Sequence, residues 1–192
     1  MSSNAQPAEP RTRSRLFSRL GLVVFGGLLI WMIWTMLDGQ HLPLGTQGPA
    51  WSLPLADGSG ERLALEDLRG KVVVLDFWST GCAPCRRQIP ELKTLWRKMK
   101  PRGVVVVGIT TGGESLDETV RFGRDHRLDY PVVLDDRGVA ATAYEVKTLP
   151  TLYVLDRRGK ITAAHNGYWP LTDIAAAVNE ALEESGEQLS AR

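Results

Sequence analysis

Residues 71–86 read KVVVLDFWSTGCAPCR. The first eight form a nearly continuous apolar, β-branched run, as expected of a central strand covered on both faces, and Asp76 is its one break. Directly after it stand Cys82 and Cys85, the only cysteines of the chain. A helical pattern follows over residues 82–100, with Ile89, Leu92, Trp96 and Met99 at helical spacing, Arg97, Lys98 and Lys100 in the last turn, and Pro101 and Gly103 ending it. Pro84 is tolerable in a first turn, and Pro90 is expected to kink the helix.

Elements of both kinds continue outward from this stretch. Upstream, residues 51–55 and 62–65 flank the turn Asp57-Gly58-Ser59-Gly60 as a β-hairpin, and residues 66–69 suit a helical turn. Downstream, residues 104–109 read as a second buried strand. Ser115 with Glu118 forms a capping box before a helix to about Asp125. Residues 131–134 suit a third strand and 138–144 a short helix. Residues 151–156 and 160–164 make a hairpin about Arg157-Arg158-Gly159, and a last helix runs over 172–184 with Ile174, Ala177, Val178 and Ala181 on one face. Strands alternating with helices, closed by a hairpin and a helix, predict an α/β layered domain with a mixed sheet. No internal repeat interrupts the pattern.

The chain has 192 residues, 43% apolar and 23% charged, which suits one globular domain with a short appendage. The net charge of +1 is unevenly spread. Arg11, Arg13, Arg15 and Arg19 precede an apolar run, with only Glu9 and Asp38 acidic in the first 38 residues, and the remainder holds 19 basic and 20 acidic groups. Nothing there suits a phosphate backbone, so nucleic acid is not an expected partner. Residues 20–37, LGLVVFGGLLIWMIWTML, carry no charge. As a helix they would span roughly 27 Å, close to the hydrocarbon thickness of a bilayer. The preceding arginines orient the N-terminus to the cytoplasm and the rest outward. A cleavable signal peptide is the competing reading, but the segment exceeds a usual h-region and no small-x-small site follows. The expected organisation is a basic tail over 1–19, a membrane anchor over 20–37, a linker over 38–48, a folded domain over 49–185 and a flexible tail over 186–192.

A disulfide between residues three apart constrains the unfolded chain very little, so the cysteine pair is placed for chemistry. A thiol at a helix N-terminus meets unpaired N–H groups and the positive end of the helix dipole, which favour thiolate. Cys82 is therefore the expected nucleophile, and Cys85, one turn in, the thiol that resolves a mixed disulfide. A zinc half-site would need two more ligands, and His41, His126 and His165 stand scattered. A carboxyl in an apolar strand carries a desolvation cost that needs a reason. Asp76 either sits beneath the pair with a raised pKa and takes the proton of Cys85, or lies at the strand's end bound to backbone amides or a lysine. Leu149-Pro150-Thr151 by itself marks a turn before a strand.

Residues 77–86, FWSTGCAPCR, with Pro90 five residues after Cys85, resemble the active site of the membrane-anchored thioredoxin-like proteins of the TlpA/ResA group, which includes cytochrome c biogenesis reductases. Residues 49–53, 68–72 and 146–151 resemble that group too, and the likeness covers 49 to about 185. It implies a thioredoxin fold with an N-terminal β-hairpin and a central αβ insertion over 112–135. It also implies a cis Pro150 facing the cysteines, and a client segment paired to the backbone of Leu149, with Trp78, Gly81 and Pro84 in the same client-binding surface. Asp76 matches the buried acid of thioredoxin itself. Two residues depart from the group: Gln88 stands where many of its reductases have glutamate, and Gly81 where an aromatic residue commonly precedes the nucleophile. Both are expected on the surface that meets the partner.

The implied activity is reduction of disulfides in exported proteins such as apocytochrome c, recharged by a membrane electron donor and needing no bound cofactor. Disulfide oxidation on the same scaffold, a peroxiredoxin-like thiol peroxidase and a copper-delivery module are the alternatives. Ser79 stands where a peroxiredoxin has threonine, and no further ligand is placed for copper.

Overall fold

The computed structural model describes residues 25–30 and 41–190. The chain divides into two units, Met1–Gly39 and Gln40–Arg192. Of the first, residues 25–30 are helical. The rest of the expected anchor over 20–37 and the basic tail over 1–19 lie outside the described residues. Among the described residues no helix is long and apolar enough to cross a membrane.

In the second unit, β1 (Ser52–Pro54) and β2 (Arg62–Ala64) pair as an antiparallel hairpin with Ser52 opposite Ala64, and a 3-10 turn, Leu65–Leu68, follows. Next come β3 (Val72–Trp78), α1 (Ala83–Met99), β4 (Val104–Thr110), α2 (Leu116–Asp125) and β5 (Val132–Leu134). The chain ends with α3 (Val139–Ala143), β6 (Thr151–Leu155), β7 (Ile161–Asn166) and α4 (Leu171–Ser190). α4 continues beyond the expected end at 184, so residues 186–190 of the expected flexible tail are helical.

The main sheet has the order β5-β4-β3-β6-β7, parallel across β5, β4 and β3 and antiparallel across β3, β6 and β7. β3 and β4 are buried along all seven residues, which is why neither sequence alternates polar with apolar. β7, at the sheet edge, is only half-buried after Ile161. α1 lies on β4 and beside α4, which crosses β3, β6 and β7. Leu92, Leu95, Ile174 and Val178 fill that layer, each contributing roughly 1.5–3 kcal/mol through burial. Elsewhere Phe77, Tyr144 and Tyr153 pack ring on ring, with Tyr144 centred 5.3 Å from Phe77 and 5.1 Å from Tyr153. The hairpin joins this body through buried Trp51 and a bridge between Leu55 and Val133.

Local signals acted as the sequence implies at the helix starts. Ser115 caps α2: its Oγ accepts from Glu118 N–H at 3.3 Å, and Glu118 Oε2 accepts from Ser115 N–H at 2.8 Å. α1 runs as one helix through Pro90, whose ring is exposed and whose carbonyl accepts from Thr94 Oγ1 at 2.9 Å.

Candidate active site

β3 ends at Trp78, three residues turn the chain, and Cys82 caps the N-terminus of α1. Cys82 and Cys85 are joined as a disulfide, their Cα atoms 5.2 Å apart, and Cys85 N–H points at Cys82 Sγ at 3.2 Å. Cys82 is half-buried while Cys85 has 0% of its surface exposed. An outside sulfur can therefore reach only Cys82, and the helix N-terminus favours negative charge there.

The loop carrying Cys82 is held from two sides. Glu114 Oε1 accepts from Thr80 N–H at 2.7 Å and from Thr80 Oγ1 at 3.2 Å, and its Oε2 accepts from Gly112 N–H at 2.8 Å. Arg86 Nη1 donates to the Thr80 carbonyl at 2.9 Å. Glu114 lies 34 residues from Thr80 in a polar loop, and nothing in the local pattern marks it as part of the site.

Asp76 stands mid-strand, opposite Gly108 of β4 and Leu152 of β6. Only 1% of it is exposed, and neither carboxylate oxygen has a hydrogen-bond partner among the described residues. The alternative of a strand-end carboxylate bound to amides or a lysine is thereby corrected. Burial pushes its pKa up to about 8, because the charged form loses water and gains nothing in return. Trp78 Nε1, Thr110 Oγ1 and Tyr130 OH are also buried without a partner among the described residues. Tyr130 is held well above its ordinary value by burial first and the charge of Asp76 second. Gly108 permits the close approach here: a Cβ on it would lie 2.8 Å from Trp78 Nε1 and 3.3 Å from Tyr130 Cε2.

The Leu149–Pro150 peptide is cis, as the resemblance implies. β6 begins at Thr151 opposite Phe77, so Pro150 stands level with Trp78, at the end of the sheet from which the cysteine loop leaves. The Pro150 carbonyl accepts from Gly167 N–H at 2.7 Å. Gly81 is exposed, and Pro84 and Leu149 are half-buried, so all three keep surface near this end of the sheet.

Two expectations about the client-facing surface are corrected. Trp78 is 1% exposed and packs on Phe122, ring centroids 4.9 Å apart, so its side chain supports the site from beneath. Gln88 is 0% exposed: on α1, three residues beyond Cys85, it faces inward. Its Nε2 donates to the Trp169 carbonyl at 2.9 Å and its Oε1 accepts from Trp169 N–H at 2.7 Å. The helical spacing of Cys85, Gln88, Leu92 and Trp96 placed Gln88 on the buried face, a signal outweighed by its polarity. Trp51 is buried in the core, while Trp169 is half-exposed and stacks on His165.

Among the described residues no group of three or more His, Cys, Asp or Glu is arranged to hold a metal ion. The model of the AhpC/TSA family matches residues 44–164. The thiol–disulfide oxidoreductase ResA of Bacillus subtilis strain 168 is 32% identical over 82% of this chain and 88% of its own length. The thioredoxin-like protein YneN of the same organism is 33% identical over 76% of this chain and 86% of its own. A crystal structure assigned to a thiol:disulfide interchange protein DsbE from Chlorobium tepidum superposes with a TM-score of 0.68 at 30% identity, covering 73% of this chain and 99% of that one. With a thioredoxin-fold sheet, flanking helices and a cysteine pair capping the helix after the central strand, this chain belongs to the AhpC/TSA family and is a thiol–disulfide oxidoreductase of the ResA/TlpA kind.

Proposed function

We propose that the protein is held on the outer face of the cytoplasmic membrane by residues 20–37 and reduces disulfides of exported proteins, apocytochrome c foremost. The observation that carries this reading is the unequal burial of the two cysteines, together with a buried, unpaired carboxyl in the strand that leads to them. In the reduced protein the Cys82 thiolate attacks one sulfur of the client disulfide. An S–S bond forms between Cys82 and the client, and the other client sulfur leaves as thiolate and takes a proton from water. Cys85 then attacks the Cys82 sulfur. The ionised fraction of Asp76, which grows as pH rises toward 8, takes the proton that Cys85 sheds, the second client sulfur leaves, and the Cys82–Cys85 disulfide remains. Two electrons from a dithiol of a membrane protein return the pair to the reduced state. The exposed Gly81, with Pro84 and the Leu149 backbone at the cis Pro150, receives an extended client segment.

The reading is tested by the reduction potential of the Cys82–Cys85 couple, measured on the full chain in detergent against glutathione or dithiothreitol buffers. A value near or below about −230 mV supports a reductase that needs a membrane donor, and a value near about −120 mV reverses the direction to disulfide donation. Cys85→Ala should trap exported proteins as mixed disulfides on Cys82, and apocytochrome c should be among them. Recovery of other clients without it would remove that client and keep the chemistry.

A further inference from the structure

The loop over residues 167–170 is tied both to the cis-proline turn before β6 and to α1, the helix that Cys82 caps. At one end Gly167 N–H donates to the carbonyl of the cis Pro150 at 2.7 Å. At the other, Gln88 grips the backbone of Trp169 with both ends of its amide, at 2.9 and 2.7 Å. Between these, exposed Tyr168 donates its hydroxyl to Glu91 Oε1 at 2.8 Å and lies under Arg87, whose guanidinium carbon is 5.8 Å from the ring centroid. Glu91 and Arg87 both belong to α1, so the helix that opens with Cys82 also holds this aromatic loop.

Chemistry at Gln88 fits a fixed role in holding that loop. A primary amide both donates and accepts, so it satisfies a peptide N–H and a peptide C=O at once, as a paired strand would. A carboxylate of the same shape could accept from Trp169 N–H, but it would turn a second acceptor toward the Trp169 carbonyl. An apolar side chain would leave both backbone groups unpaired beside the protein interior.

We infer that Gln88 is a positioning residue, which fixes the 167–170 loop as one wall of the client site and acts on client binding through the Trp169 backbone rather than on the cysteines. The wall it sets, Tyr168 with the half-exposed Trp169, suits client segments carrying an aromatic or aliphatic side chain beside their cysteines. This rests on the thiol–disulfide exchange with protein clients proposed above.

The test compares the full chain in detergent with Gln88→Met and Gln88→Ala. The probe is a disulfide-closed peptide with a Cys-x-x-Cys-His segment and a flanking leucine, reduced by the dithiol protein and, in the reverse assay, formed by the disulfide protein. Both variants should raise KM about tenfold with kcat within twofold, and alkylation of reduced Cys82 by iodoacetamide should stay within twofold of the parent. A KM within twofold of the parent in a folded variant overturns the inference. So does a fall in kcat and alkylation rate in parallel, which would place the effect on the cysteines. If Gln88→Met fails to fold by circular dichroism, Gln88→Ala, which leaves room for water beside the freed backbone groups, decides. A parent that forms the peptide disulfide but cannot reduce it sinks the reductase reading, while the KM ratio in that direction still decides the role of Gln88.

Discussion

Two neighbouring regions each bury a polar side chain and handle it in opposite ways. In β3, Asp76 is 1% exposed and its oxygens have no partner among the described residues, nor do those of nearby Thr110 and Tyr130. In the first turns of α1, Gln88 is buried as completely, yet both ends of its amide are satisfied by the backbone N–H and C=O of one residue, Trp169, 81 positions away. The same burial therefore yields different consequences. An unpaired acid exchanges its proton near neutral pH and costs stability; a fully paired amide fixes backbone and does not titrate. Chemistry belongs with the first arrangement and geometry with the second.

Replacing Asp76 should give the largest effect. Its folded pKa, about 8, lies above the unfolded value, so the folded state holds the extra proton between about pH 4 and pH 8. Its contribution is full below about pH 4, is lost as pH rises toward 8, and changes no further above that. Asp76→Asn should flatten this slope and stabilise the protein by about 5 kcal/mol at pH 8, while little changes at pH 4. Urea melts at the two pH values check this. The same variant should slow release of client from the Cys82 mixed disulfide about 10²-fold, seen by quenched-flow trapping. A slope that survives in Asp76→Asn would end the claim that burial sets this acid apart.

Gln88→Met should move stability the other way, by about 2 kcal/mol, because it orphans a peptide N–H and C=O instead of removing an unpaired group. Equal stability in a urea melt would show that the two regions are not opposites. Glu114→Ala should cost about 1 kcal/mol, since its three hydrogen bonds are partly exposed to water, and should speed hydrogen exchange at Thr80 N–H. The smallest effect belongs to Tyr130→Phe. It removes a buried hydroxyl without a partner among the described residues, so it should leave stability unchanged or raise it by up to about 1 kcal/mol. A loss there would mean that the hydroxyl is paired in solution and that the contrast with Gln88 is smaller than drawn.

Pattern alone reached the central strand, the helix after it, the hairpins and the α2 cap, because each is decided by neighbours within a turn or a strand's length. Cys82 and Cys85 were legible for the same reason: a dithiol between a buried strand and a helix start needs no distant residue to be recognised. Asp76 was legible as an anomaly, although its two readings differed only in where the strand ended. The family resemblance implies Trp78 and Gln88 on the client surface. Burial of β3 on both faces and the helical period of α1 turn both inward instead.

What the sequence by itself determined is the α/β order of elements and the redox pair, since hydrophobic period and helix capping are local properties of the chain. The tertiary structure alone decided that Asp76 goes unpaired, that Glu114 braces the cysteine loop, and that Gln88 holds Trp169. Each depends on groups 34 to 81 residues apart, or on the lack of any partner for Asp76, and such pairings arise only when the sheet order brings β4, β6 and the β7–α4 loop around the end of β3.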